Sequence, residues 1–106
     1  VPHLYYADAV EGKDKFGAEI APGFIVDTSS VIDIKTKMLV CHESQRNWLL
    51  AHHGIDEYTD QMKKLGRKRG AAIGAEFGEG FRQHLGHAYP QDNLLKAELG
   101  NLVHMR

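Results

Sequence analysis

The run Phe24-Ile25-Val26-Asp27-Thr28-Ser29-Ser30-Val31-Ile32-Asp33-Ile34-Lys35-Thr36-Lys37-Met38-Leu39-Val40-Cys41-His42-Glu43-Ser44-Gln45 decides how this chain is read. Phe24-Ile25-Val26 is apolar and mostly β-branched, the composition of a short buried strand, and it stops at Asp27. Thr28-Ser29-Ser30 then offers hydroxyls for a helix N-cap. With Ser30 as the cap, Asp33 falls at the third helical position. That spacing approximates a capping box and sets a negative charge at the positive end of the helix dipole. Val31, Ile34, Met38, Cys41, Gln45 and Trp48 follow at alternating spacings of three and four, one apolar stripe interrupted at Gln45. The pattern predicts a helix near 30–53, stopped by Gly54.

Upstream, Leu4-Tyr5-Tyr6-Ala7 reads as another buried strand, near 4–7. Residues 11–23 are charged and broken by Gly12, Gly17, Pro22 and Gly23, hence a loop. Downstream, Tyr58, Met62, Leu65, Ala72, Ile73, Phe77 and Phe81 supply the apolar side of a second helix near 56–83. Gly66, Gly70, Gly74 and Gly78 recur along it at every fourth residue. A helix-interior glycine costs about 1 kcal/mol relative to alanine. Four on one stripe therefore predict a smooth groove for close packing of another backbone; a shorter, broken helix is the alternative. Asp92 can cap a last helix near 93–99, closed by Gly100.

Two short strands do not make a stable sheet by themselves, and the two long helices present wide apolar faces with little chain to cover them. The predicted fold class is α/β. Two short strands, two long helices and a short C-terminal helix form one segment of a layered domain.

Composition excludes several function classes. The 106 residues hold 13 basic and 14 acidic side chains, so no electrostatic grip on nucleic acid is expected. No apolar run reaches the roughly 18 residues of a membrane span, and no membrane partner is expected. Val1-Pro2-His3 does not open a secretory signal. With Cys41 as the single cysteine, a reducing, cytoplasmic setting is favoured.

The strand-to-helix step Phe24–Ser29 resembles the LmbE-like, or PIG-L, N-acetylglucosaminyl deacetylase family. So do Leu4-Tyr5-Tyr6, Ile32 through Lys37-Met38, Cys41-His42-Glu43-Ser44-Gln45, Arg69-Gly70, Ile73-Gly74 and Ala75-Glu76-Phe77-Gly78-Glu79-Gly80-Phe81-Arg82. Order and spacing are similar to the C-terminal portion of that family over most of the chain. The resemblance implies a Rossmann-like layered domain and a parent hydrolase that removes acetyl groups from N-acetyl-sugar conjugates. In such a parent, zinc activates water while an aspartate acts as base. The family's histidine-proline-aspartate-aspartate and histidine-proline-aspartate-histidine motifs do not occur here, because Pro2, Pro22 and Pro90 follow Val, Ala and Tyr. No metal ligand and no catalytic residue is carried over. The chain alone is expected to be inactive and to bind no zinc, and its expected partner is a missing N-terminal half or another protomer.

Within the resemblance, His42, Ser44 and Gln45 are candidate substrate-binding residues. His42 and Gln45 share a helix face and would bond sugar hydroxyls; contact with neighbouring loop backbone is the alternative. His84 and His87 have the spacing of a metal pair, yet Gly86 breaks the helix there and no third ligand follows. Adjacent His52 and His53 would point about 100° apart on a helix, a poor chelate. Cys41 reads as a core thiol. Glu76 and Glu79 read as a surface pair or as ion-pair partners of Arg69 or Arg82, and Lys63 to Arg69 as a solvated basic face. A non-catalytic helical module dimerising through the glycine groove is the competing reading of the whole.

Overall fold

The computed structural model describes residues 1–9, 12–41 and 57–106. The elements run β1 (Tyr5–Ala7), β2 (Phe24–Asp27), α1 (Ile32–Val40), α2 (Glu57–Ala71), β3 (Gly78–Gln83), α3 (Leu94–Leu99) and β4 (Val103–Met105). The chain is mixed α/β, and its four strands form one sheet in the order β1-β3-β2-β4. Each neighbouring pair is antiparallel, with Tyr6 opposite Arg82, Ile25 opposite Gly80 and Val26 opposite Val103. Because β1 and β2 are both antiparallel to β3, they run parallel to one another on its two sides.

Strand alternation sorts the side chains onto two faces. Phe24, Val26 and Val103 form a buried cluster on one face, packed by Tyr5, Phe81 and Leu95 of α3. The Tyr5 ring meets Phe24 edge-on at 5.9 Å, and Phe24 stacks on Phe81 at 5.7 Å. Ile25, 1 % exposed, turns to the other face, where α2 lies. Gly78 is what lets α2 approach there. A Cβ on Gly78 would sit 2.8 Å from Ile25 Cγ2 and 3.0 Å from the Gly70 nitrogen.

The two expected strands form at 5–7 and 24–27, and the short helix forms at 94–99. Asn93, rather than Asp92, caps α3 by accepting from the Lys96 N–H, and Gly100 closes it at φ 58°. The expected helix at 56–83 is corrected. It ends at Ala71 and the chain re-emerges as β3. Gly70 O accepts from both Ile73 N and Ala75 N, and Gly74 takes φ 71°, so the chain reverses there. β4 has no counterpart among the expected elements.

The expected cap also changes. No side-chain cap bond forms at α1. Ser29–Val31 makes a single 3-10 turn before it, and the helix starts at Ile32. The stripe on α1 faces outward, with Val31 44 %, Ile34 59 % and Met38 66 % exposed. Cys41, read as a core thiol, is exposed as well. The rest of the helix expected to reach residue 53 lies outside the described residues, as does the stop at Gly54. No helix among the described residues is long and apolar enough to cross a membrane.

Candidate functional site

Residues far apart in sequence converge on β3 from two sides. On the first, β2 ends and the chain turns toward α1. Asp27 Oδ1 accepts from the Ser29 N–H at 3.0 Å, a local turn that aspartate favours. The Ser29 hydroxyl is thereby aimed at Phe77, where Oγ donates to the carbonyl at 3.3 Å and accepts from the N–H at 3.0 Å. The Thr28 N–H also donates to Phe77 O. Ser29 thus joins the start of β3 to the end of β2 instead of capping a helix. Thr28 Oγ1 is buried there with no hydrogen-bond partner among the described residues. One α1 residue reaches β3 as well: Lys35 Nζ lies 3.2 Å from Glu79 Oε2, both side chains one-third exposed.

The backbone N–H of Ser29 holds the Asp27 carboxyl below its ordinary pKa. A lowered folded-state pKa means that the carboxylate stabilises the fold above the unfolded pKa. That stability is lost as pH falls through the folded value. Asp27→Asn is therefore expected to flatten the acid side of a stability-against-pH curve, below about pH 4, and to leave its shape near neutrality unchanged. Thermal melts at a series of pH values check this.

On the second side, a buried ion pair fastens α2 to the sheet. Arg69 Nε donates to Asp8 Oδ2 at 2.9 Å and Nη2 donates to Oδ1 at 3.1 Å, with side chains 9 % and 11 % exposed. The same Nη2 donates to Ile20 O at 3.2 Å, and Asp8 Oδ2 also accepts from the Gly80 N–H at 3.0 Å. Both ions are well satisfied, the condition under which a buried pair holds together. Gly80 must lack a side chain, since a Cβ would lie 2.6 Å from Asp8 Oδ2.

Beyond this node the sheet carries an open groove of about 450 Å³ lined by Tyr6, Arg82, Gln83, His84 and Leu85. Tyr6 OH and His84 Nδ1 are 2.8 Å apart, and the His84 ring lies 4.1 Å from that of Tyr89. His84 is thus an aromatic-packing residue, and among the described residues no three His, Cys, Asp or Glu side chains gather into a group that could hold a metal.

His42, Ser44 and Gln45, the candidate substrate-binding residues, lie outside the described residues, as do His52 and His53. Of the glycine stripe, Gly66 and Gly70 stay on α2, whereas Gly74 is in the reversal and Gly78 is in β3. Gly66 meets the Phe77 ring, and Gly70 meets the backbone of residues 75–77. The groove of these two glycines is filled by the chain's own next segment, so it offers no free surface to a second helix.

Glu79 pairs with Lys35 and Arg69 with Asp8, so neither ion pair expected for Glu79 forms. In the basic run, Lys68 pairs with Glu19 at 3.0 Å, which lowers the Glu19 pKa, and Arg67 lies 5.4 Å from the Phe77 ring centre. Asp8 and Lys35 escape sequence reasoning. A single aspartate after an aromatic strand carries no sign of a partner 61 residues away.

Comparison with protein-family models, with curated proteins and with solved structures finds no match to this chain.

Proposed function

We propose that this chain is the C-terminal part of a zinc-dependent deacetylase acting on N-acetylglucosamine-type conjugates, inactive by itself and supplying one wall of the parent's crevice. One observation carries the reading. Segments that resemble the family in sequence meet in space: Asp27-Thr28-Ser29 with Phe77, Lys35 with Glu79, and Arg69-Gly70 with Gly78.

The described residues do not fit a zinc site, so no step through the metal is assigned to them. In the parent, the ion would supply water activation and carbonyl polarisation from motifs outside this chain. The chain's own part is positional. Ser29 and Lys35 tie α1 to β3, and α1 leads the chain toward His42, Ser44 and Gln45. In this proposal those three side chains bond hydroxyls of the sugar.

Gln45→Ala in the full polypeptide that carries this chain is expected to lower kcat/KM for an N-acetylglucosamine conjugate about threefold to tenfold, the scale of one lost hydrogen bond to a neutral hydroxyl. Its melting temperature should change little. Unchanged kcat/KM would reduce the patch to packing.

A second reading, a non-catalytic interaction module, is favoured by one observation, the outward apolar stripe of α1. Full-length protein without acetate release, yet forming a discrete oligomer in sedimentation, would support it.

A further inference from the structure

A groove of about 350 Å³ runs between α2 and the loop that precedes β2, lined by Lys13, Glu19, Gln61, Lys64, Leu65 and Lys68. Two elements place these side chains. Gln61, Lys64, Leu65 and Lys68 share one face of α2 by their spacing. Lys13 and Glu19 lie opposite each other across an antiparallel bridge. That loop is seated on α2 at Gly12, where a Cβ would lie 3.4 Å from Leu65 and 3.0 Å from Arg69 Nη2. Three ammonium groups therefore share the groove with one carboxylate. Lys68 pairs with Glu19 at 3.0 Å, while Lys13 and Lys64 make no ion pair among the described residues. Lys64 and Lys68 stand four apart on the helix, where like charges repel.

We propose that this groove binds a phosphate monoester, with the ammonium groups of Lys13, Lys64 and Lys68 meeting its oxygens. Charge is the first argument. The lining carries three positive groups against one negative one, and a phosphate monoester at neutral pH brings about −1.5 to −2. A carboxylate brings half of that. Donor geometry is the second. An ammonium is a compact point charge with three donors, which suits the spread oxygens of a phosphate, and the Gln61 amide adds neutral donors. The volume falls at the low end of small-molecule sites, about 300–1,000 Å³. Glu19 reports the local field. The hydrogen bond from Lys68 and its charge, then the charges of Lys13 and Arg69, hold the Glu19 carboxyl below its ordinary pKa. Glu19 is thus the anion that the groove already carries, and it competes with a second one for Lys68. The inference uses the groove alone and stands whether or not the deacetylase reading holds.

The test is calorimetric titration of the full polypeptide that carries this chain with inorganic phosphate at constant ionic strength, with vesicles containing phosphatidic acid as a second probe. Saturable binding is expected. Lys13→Gln with Lys64→Gln should weaken it about fivefold or more, the scale of two exposed charge contacts. The same loss of charge at Lys37 and Lys96, which are exposed and do not line the groove, should change it less than about twofold. Glu19→Gln frees Lys68 and should tighten binding about twofold to fivefold. All five side chains are exposed, so melting temperatures without phosphate should stay unchanged. Binding of free phosphate alone supports a soluble ligand. Vesicle binding that is lost with Lys13 and Lys64 supports a lipid headgroup carrying the same phosphate. No saturable binding of either probe, or equal weakening by the groove and control substitutions, would overturn the proposal.

Discussion

Asp8→Ala is expected to destabilise the fold by about 3–5 kcal/mol, the largest effect of any single side-chain truncation in the described residues. The substitution leaves the Arg69 guanidinium in a site where its side chain is only 9 % exposed, with Ile20 O as its one remaining acceptor among the described residues. It also deprives the Gly80 N–H of the carboxylate it donates to. An uncompensated buried charge and an unsatisfied backbone donor are then added to a domain whose total stability is about 5–15 kcal/mol. Arg69→Ala should cost a similar amount for the mirror reason. Removing both ions together, as Asp8→Ala with Arg69→Ala, should cost less than the sum of the single changes, because no charge is then left without a partner. Urea denaturation of the four proteins gives the coupling. Additive losses would mean that the pair does not fasten α2 to the sheet.

The second large effect is expected at Gly70. A Cβ there would lie 2.7 Å from Ala75 O and from Phe77 N, and 2.8 Å from Glu76 C. All three are backbone atoms, which cannot swing aside as a flexible side chain can. Gly70→Ala should therefore force α2 away from the 75–77 segment and cost about 3 kcal/mol, the upper range for overpacking. Gly74 is the control. A Cβ there meets nothing within 4 Å, but its φ of 71° is left-handed. Gly74→Ala should cost about 1–2 kcal/mol from backbone strain alone. Gly74→Asn should recover part of that, because asparagine tolerates the left-handed region. Equal losses at both positions would contradict the packing described for Gly70.

These two glycines also show how far the sequence could be read. Glycine at every fourth position, with Ala72, Ile73, Phe77 and Phe81 between, mimics a helical stripe through residue 83. The backbone reversal at Gly74 cuts that stripe in two, and nothing local distinguishes a glycine inside a helix from one that ends it. β3 reads Gly-Glu-Gly-Phe-Arg-Gln, without the β-branched residues that mark strands. It is held as a strand by pairing with β1 and β2 on both sides, a long-range fact. β2, by contrast, was legible because Phe24-Ile25-Val26 is buried and carries its own signature. The α1 stripe was legible as a stripe, while its direction, outward, depends on what the sheet covers. In the candidate site, Ser29, Lys35, Arg69, Phe77 and Glu79 stood in legible motifs and Asp8 did not, whereas which of them pair is set by the fold.

The most direct test of the account is acetate release from an N-acetylglucosamine conjugate, measured with added zinc for the full polypeptide that carries this chain and for residues 1–106 alone. The account predicts zinc-dependent release by the full polypeptide and none by the isolated chain. Metal-dependent turnover by residues 1–106, or a folded, zinc-loaded full polypeptide that releases no acetate, would contradict it.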